Sequence, residues 1–261
     1  MSTYNNVLGN FISHADDLSD LDNDDYEDSG SEPEPQMGIK NNINKPSRIN
    51  RIDERTQVVQ SLSSYPVTCL RFYANKDDVN VDRKKMLAAT YTAGYVKIWH
   101  YTTQQCVFTF DEKDRQPLAL DFNSNFTRLF VAGSDCAINC YDFGTKKLLR
   151  KLQASDSREV MDGHKNRIHA IRSHPTMEAV FLTGGWDQTV HYWDERTERS
   201  QKHFSGPHLC GDALDIVAEN QVIITGSWRS YSTLQIWDFS TGALLKDPFQ
   251  NKATSMVSSV I

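Results

Sequence analysis

The stretch TGGWDQTVHYWD, Thr183 to Asp194, decides how this chain folds. It sets two threonines, two tryptophans, two aspartates and a histidine close together, and two readings compete for them. A hydroxyl, an imidazole and a carboxylate are the parts of an activated nucleophile. The same residues also read as the end of one strand, a turn at Trp186, Asp187 and Gln188, and the strand that follows. A structural unit recurs along a chain, so the choice turns on whether the stretch is repeated.

Four segments end alike: YVKIWH at 95–100, AINCYD at 137–142, TVHYWD at 189–194 and LQIWDF at 234–239. Their aromatic anchors Trp99, Tyr141, Trp193 and Trp237 stand 42, 52 and 44 residues apart, and the polar stretch QASDSREVMD at 153–162 accounts for the longer interval. Each unit opens on an apolar run: VTCLRF from 67, PLALDF from 117, RIHAIRSHP from 167 and DALDIV from 212. Short apolar and β-branched runs between polar turns, without a long window of helical period, predict an all-β chain with four strands per unit.

These residues resemble the WD40 repeat family, whose units carry Gly-His near the start and Trp-Asp at the end of the third strand. The third unit matches best: Gly163-His164 precedes it, and His164 stands 29 residues before Trp193, as His208 does before Trp237. The resemblance covers about 56–261 and implies a partial β-propeller, with blades at roughly 64–110, 115–152, 162–204 and 206–250 and the start of a fifth in NKATSMVSSVI. It also implies that His164, Thr183, Asp187 and Trp193 form a hydrogen-bonded structural tetrad. Thr183 lies in a strand pattern without a nucleophile elbow or oxyanion-hole loop, so the cluster reads as a fastening rather than a catalytic site. His169, His174 and His191 read as surface or strand-packing residues rather than ligands.

The other units depart from that pattern. The second keeps an acid as Asp135 and has Tyr141 for Trp, but lacks Gly-His; the first has Ala93 at the acid position; the fourth has WRSYST in place of the acidic turn. These blades are expected to be held by packing more than by polar networks.

Residues 1–39 hold ten Asp or Glu and no Lys or Arg, so the net charge of −6 conceals +4 on the rest. That composition predicts a disordered acidic tail and linker over 1–50, a solvating segment or one that is phosphorylated at Ser31 or binds a partner. The basic residues of KNNINKPSRINR offer it a partner in cis. TQVVQSL at 56–62 reads as an orphan outer strand. The start lacks a basic n-region, and no apolar run approaches the roughly 20 residues that span a bilayer, so the chain is expected inside the cell, cytoplasmic or nuclear and not secreted. Five cysteines, an odd number, read as reduced thiols. Cys136 and Cys140 read as turn into strand rather than a metal pair, and neither metal nor cofactor is expected.

The function expected is a non-enzymatic protein-interaction scaffold or adaptor. The chain stops in mid-repeat, which reads as a truncated form of a longer propeller whose open edges invite self-association. The alternatives are a hydrolase-like enzyme using His164, Asp187 and Thr183, and a nucleic-acid-associated module in the +4 region, whose basic residues are scattered. Aligning TGGWDQ with TGSWRS puts Trp186 and Trp228 at equivalent turns, and Arg229 and Tyr231 beside Trp228 complete a candidate partner-binding surface. The competing reading has each indole packed on its neighbouring blade.

Overall fold

The computed structural model describes residues 65–249 apart from Lys76, Lys113 and Arg158, together with Ser259. The acidic segment 1–50 and the strand expected at 56–62 lie outside the described residues, as does, Ser259 aside, the start of a fifth unit at 251–261.

Among the described residues the chain is all-β, with two short 3-10 turns at Arg83–Lys85 and Ala218–Asn220. The first sheet holds β1 (Val67–Phe72), β2 (Met86–Tyr91), β3 (Tyr95–His100) and β4 (Gln105–Asp111). The second holds β5 (Pro117–Phe122), β6 (Arg128–Gly133), β7 (Ile138–Asp142) and β8 (Lys147–Leu152). The third holds β9 (Ile168–Ser173), β10 (Val180–Gly185), β11 (Thr189–Asp194) and β12 (Lys202–Ser205). The fourth holds β13 (Leu214–Val217), β14 (Val222–Gly226), β15 (Leu234–Asp238) and β16 (Leu244–Lys246). Each sheet is an antiparallel meander with its strands in chain order.

The turn between second and third strands takes three or four residues in the first three sheets and seven, 227–233, in the fourth. Its bend ends on a residue in the left-handed region: Gly94 (φ 84°), Cys136 (φ 62°), Gln188 (φ 59°) and Ser232 (φ 50°). Cys136 therefore sits in a turn and Cys140 on a strand, where its buried side chain joins the layer shared with the third sheet.

Strand alternation gives each sheet two apolar faces, and consecutive sheets bury them against each other. Phe110 meets Tyr141 between the first two sheets, with centroids 4.4 Å apart. Phe130 stacks on Phe181 at 4.2 Å between the second and third, and Phe204 meets Trp237 at 4.5 Å between the third and fourth. The face that bears the third-strand aromatic always looks back to the preceding sheet.

Two glycines end second strands where the backbone of the first strand comes too close for any side chain. A Cβ on Gly133 would lie 2.3 Å from the Gln116 carbonyl oxygen, and one on Gly185 would lie 2.3 Å from that of Arg167. The same two carbonyls accept the amides of Ser134 and Trp186, each at 3.0 Å. Gly133→Ala and Gly185→Ala are each expected to destabilise by about 1–3 kcal/mol, because backbone must move to admit the methyl group. Denaturant midpoints equal to the parent's would contradict this close approach.

Candidate functional site

In the third sheet four polar side chains meet. His164, on the loop before β9, sets Nδ1 2.8 Å from Asp187 Oδ2 and Nε2 2.7 Å from Thr183 Oγ1. The Trp193 indole N–H donates to the same Thr183 oxygen at 2.7 Å. The proton arrangement that satisfies every group has Nδ1–H donating to Asp187 and the threonine hydroxyl donating to Nε2. Asp187 also accepts from the Lys165 amide at 2.9 Å and from the Thr189 hydroxyl at 2.7 Å. Burial works to raise the Asp187 carboxyl, but the His164 bond and charge, with Thr189 and Lys165, outweigh it and hold the group well below the usual carboxylate range.

This arrangement has the residue types of an activated nucleophile and none of the access. Thr183 is 0 % exposed, and its oxygen is occupied from one side by the imidazole and from the other by the indole. His164, Asp187 and His191 also bring possible metal-ligand atoms within 4.8 Å of one another. Both nitrogens of His164 are engaged in the tetrad, and His191 Nδ1 lies 2.8 Å from Ser200 Oγ. An ion there would have to break the network that joins the strands.

The second sheet departs from the expectation that packing holds it more than a polar network does. Arg115 is buried on the loop before β5, donates to Asp135 Oδ1 at 2.7 Å, and reaches the Ala137 and Val131 carbonyls at 2.8 and 2.9 Å. Its Nε donates to Glu112 at 3.0 Å, and the other Glu112 oxygen accepts from the Tyr141 hydroxyl at 2.6 Å and from Asn139 at 2.9 Å. An arginine thus stands where the third sheet has a histidine, and a glutamate joins it to the tyrosine that replaces tryptophan. Sequence reasoning missed Glu112 and Arg115 because DEKDRQP looks like a solvated loop; the signal was an acid and a base three residues apart just ahead of a strand.

The outer two sheets keep less. In the fourth, Trp237 donates to Thr225 at 2.8 Å, but Arg229 occupies the acid's place, and His208 Nδ1 is buried with no partner among the described residues. In the first, Trp99 donates to the Tyr91 hydroxyl at 3.0 Å, and the Thr68 and Thr90 hydroxyls meet at 2.7 Å.

The candidate surface residues lie on the turns above these networks. Trp186 stacks on His169 with centroids 5.3 Å apart, has Arg167 over its ring at 5.6 Å, and faces His208 at 6.3 Å. The Trp228 amide donates to the His208 carbonyl at 2.9 Å, so one residue touches both tryptophan positions. Arg229 donates to the Gly206 carbonyl and lies over the Tyr231 ring at 5.5 Å. Beside Trp186 a cavity of about 210 Å³ is lined by Thr68, Leu118, His169, Cys210, Gly211 and Asp212, which come from all four units.

Two outcomes are expected. Asp187→Ala should cost about 1–3 kcal/mol through orphaned buried partners, and Arg115→Met more, about 3–5 kcal/mol, because it strands Glu112 and Asp135. Equal losses in denaturant melts would refute the ionic account of the second sheet. Stability should also decline in mild acid. Burial, then the neighbouring His164, depresses His191 to about 3, and burial, then Arg167 and His208, takes His169 to about 4, against an ordinary 6.5. The unfolded chain therefore binds more protons than the folded one as pH falls below about 6.5, and stability drops until the folded values are reached. His191→Gln, which installs the residue that Gln235 already provides at the same register, should flatten that slope; an unaltered slope between pH 7 and 4 would exclude His191 as its source.

Residues 155–194 match the family described as WD domain, G-beta repeat. The E3 ubiquitin-protein ligase COP1 of Arabidopsis thaliana is 24% identical over 197 residues, which are 75% of this chain and 26% of that protein. A guanine nucleotide-binding protein subunit beta-like protein of Encephalitozoon cuniculi (strain GB-M1) is 26% identical over 133 residues, 51% of this chain and 38% of the relative. The chain therefore spans between a quarter and two fifths of these relatives' lengths. The solved structure of U3-55K is similar at a TM-score of 0.55 and 11% identity, over 70% of this chain and 51% of that one, a likeness of fold alone. The third sheet, whose approach loop is tied to its second and third strands through His164 and Thr183, is thus a WD40 repeat, and its outline recurs in the three other sheets, which resemble it in strand order.

Proposed function

We propose that the chain is a non-enzymatic interaction scaffold that receives other proteins on the rim carrying Trp186, Trp228, Arg229 and Tyr231. The observation that carries this reading is the exposure of three large rings on adjoining turns: Trp186 is 41 %, Trp228 48 % and Tyr231 54 % exposed. Tyrosine, tryptophan and arginine dominate binding energy in protein interfaces, because each brings a large ring or planar group with a polar handle. Trp186 combines the two readings open to it. One face packs on His169, while two fifths of the residue stays in solvent. The sheets beneath are rigid, and a rigid frame with chemically varied turns is how such domains present binding sites.

A relative named as a guanine nucleotide-binding protein subunit suits a role in assembly. The partners are proteins, with no direct nucleic-acid or membrane contact, and the chain acts inside the cell, in cytoplasm or nucleus. All five cysteines are free thiols, which suits a reducing compartment. No helix among the described residues is long and apolar enough to cross a membrane.

The test is a double substitution, Trp228→Ala with Tyr231→Ala, chosen because these rings are less packed than Trp186. Affinity purification should lose its specific partners by about 30-fold, the effect of one hot spot of about 2 kcal/mol, while melting stays near the parent's. Undiminished capture by a folded double variant would remove the rim from the interface.

A further inference from the structure

Resting on the rim proposed above, we infer that the partner segment is an acidic peptide, whose aspartate or glutamate side chains are held by Arg167 and Arg229 while its apolar side chains lie against Trp186 and Trp228. The two tryptophan turns share one hydrogen bond. The Trp186 amide donates to the Arg167 carbonyl at 3.0 Å, and the Trp228 amide donates to the His208 carbonyl at 2.9 Å. Each indole is thereby fixed beside a nitrogen-bearing side chain, and Arg229 directly follows the second. Donors and rings alternate along the rim: Arg167 lies over the Trp186 ring at 5.6 Å, His208 faces that ring at 6.3 Å, and Arg229 lies over the Tyr231 ring at 5.5 Å.

These two guanidiniums lack an anion. Arg71, Arg115, Arg128 and Arg172 each pair with a carboxylate of the chain itself. Among the described residues Arg167 and Arg229 pair with none; Arg167 is exposed, and Arg229 is half-buried against the Gly206 carbonyl. The carboxylates of adjoining segments are engaged elsewhere: Asp187 by His164 and the Lys165 amide, Asp212 by Arg71 at 2.5 Å, and Asp247 by Gln235 at 3.2 Å. After Trp186 the turn carries Asp187, whereas after Trp228 it carries Arg229, so the fourth sheet reverses the sign of that position. Between the two arginines, His208 has Nδ1 sealed and without a partner among the described residues, so its proton rests on Nε2 as a further donor. Each guanidinium fork takes one carboxylate in two parallel bonds, which matches acids spaced along a peptide. Two arginines and a histidine are too few for a nucleic acid, whose affinity rises with every phosphate neutralised.

The experiment is selection of a random dodecapeptide library on the immobilised 261-residue chain, followed by titration of the tightest peptide. The expected peptides carry Asp or Glu spaced among apolar side chains, and replacing those acids by Asn or Gln abolishes binding. Arg167→Gln and Arg229→Gln should each weaken binding about tenfold, the effect of one charged hydrogen bond, and affinity should fall between about 50 and 300 mM salt. Arg150→Gln, on β8 and outside the rim, should leave it unaltered. Both rim variants should melt near the parent; if Arg229→Gln unfolds, Arg167→Gln alone decides. Selected peptides without acids, no retained peptide, or undiminished binding by folded arginine variants overturns the inference. A preference for phosphoserine peptides or single-stranded DNA over the acidic peptide overturns it too. Protein capture that is lost in Trp228→Ala with Tyr231→Ala but kept in both arginine variants would leave the rim standing and remove the acidic partner.

Discussion

The hydroxyl of Thr183 is the point on which the third sheet depends. It is fully buried, yet it accepts from the indole of β11 and meets the imidazole that precedes β9, so the approach loop, second strand and third strand share one oxygen. An unpaired buried hydroxyl or imidazole costs more than a hydrogen bond returns, and this makes the network close as a unit. Asp187 completes it from the turn, and that same turn holds Trp186 in place above. The fold and the proposed binding surface are therefore set by one local geometry.

The second sheet reaches the same end by other means. An imidazole between a hydroxyl and a carboxylate is replaced by a guanidinium between two carboxylates, and Glu112 draws in the Tyr141 hydroxyl. Because Arg115 offers five donors in a fixed fork, it also satisfies the Ala137 and Val131 carbonyls. The geometric requirement is shared between the sheets; the chemistry that meets it is not.

Much of this was legible in the sequence. The four aromatic anchors and their spacing carry the architecture, because a unit that cannot bury its faces alone must recur to form a core. The third repeat's tetrad came from the resemblance to the WD40 family, and the exposure of Trp228 and Tyr231 follows from their place in a turn that offers little core. The role of Arg115 was not legible, because burial of a charged residue depends on partners that arrive from Asp135 in a distant turn. The stacking of His169 on Trp186 was hidden for the same reason, since strand alternation alone does not say which side chains meet across a rim.

The Glu112–Arg115–Asp135 network also bears on how repeats within one chain drift apart. Converting a histidine hub into an arginine hub by single replacements would pass through a sheet with an uncompensated buried charge, at about 3–5 kcal/mol against a total stability of roughly 5–15 kcal/mol. Such intermediates are close to unfolding. Change at these positions is then confined to coupled jumps, with long stasis between them, and a neighbour that has jumped shares the shape of its sister sheets while losing their spelling.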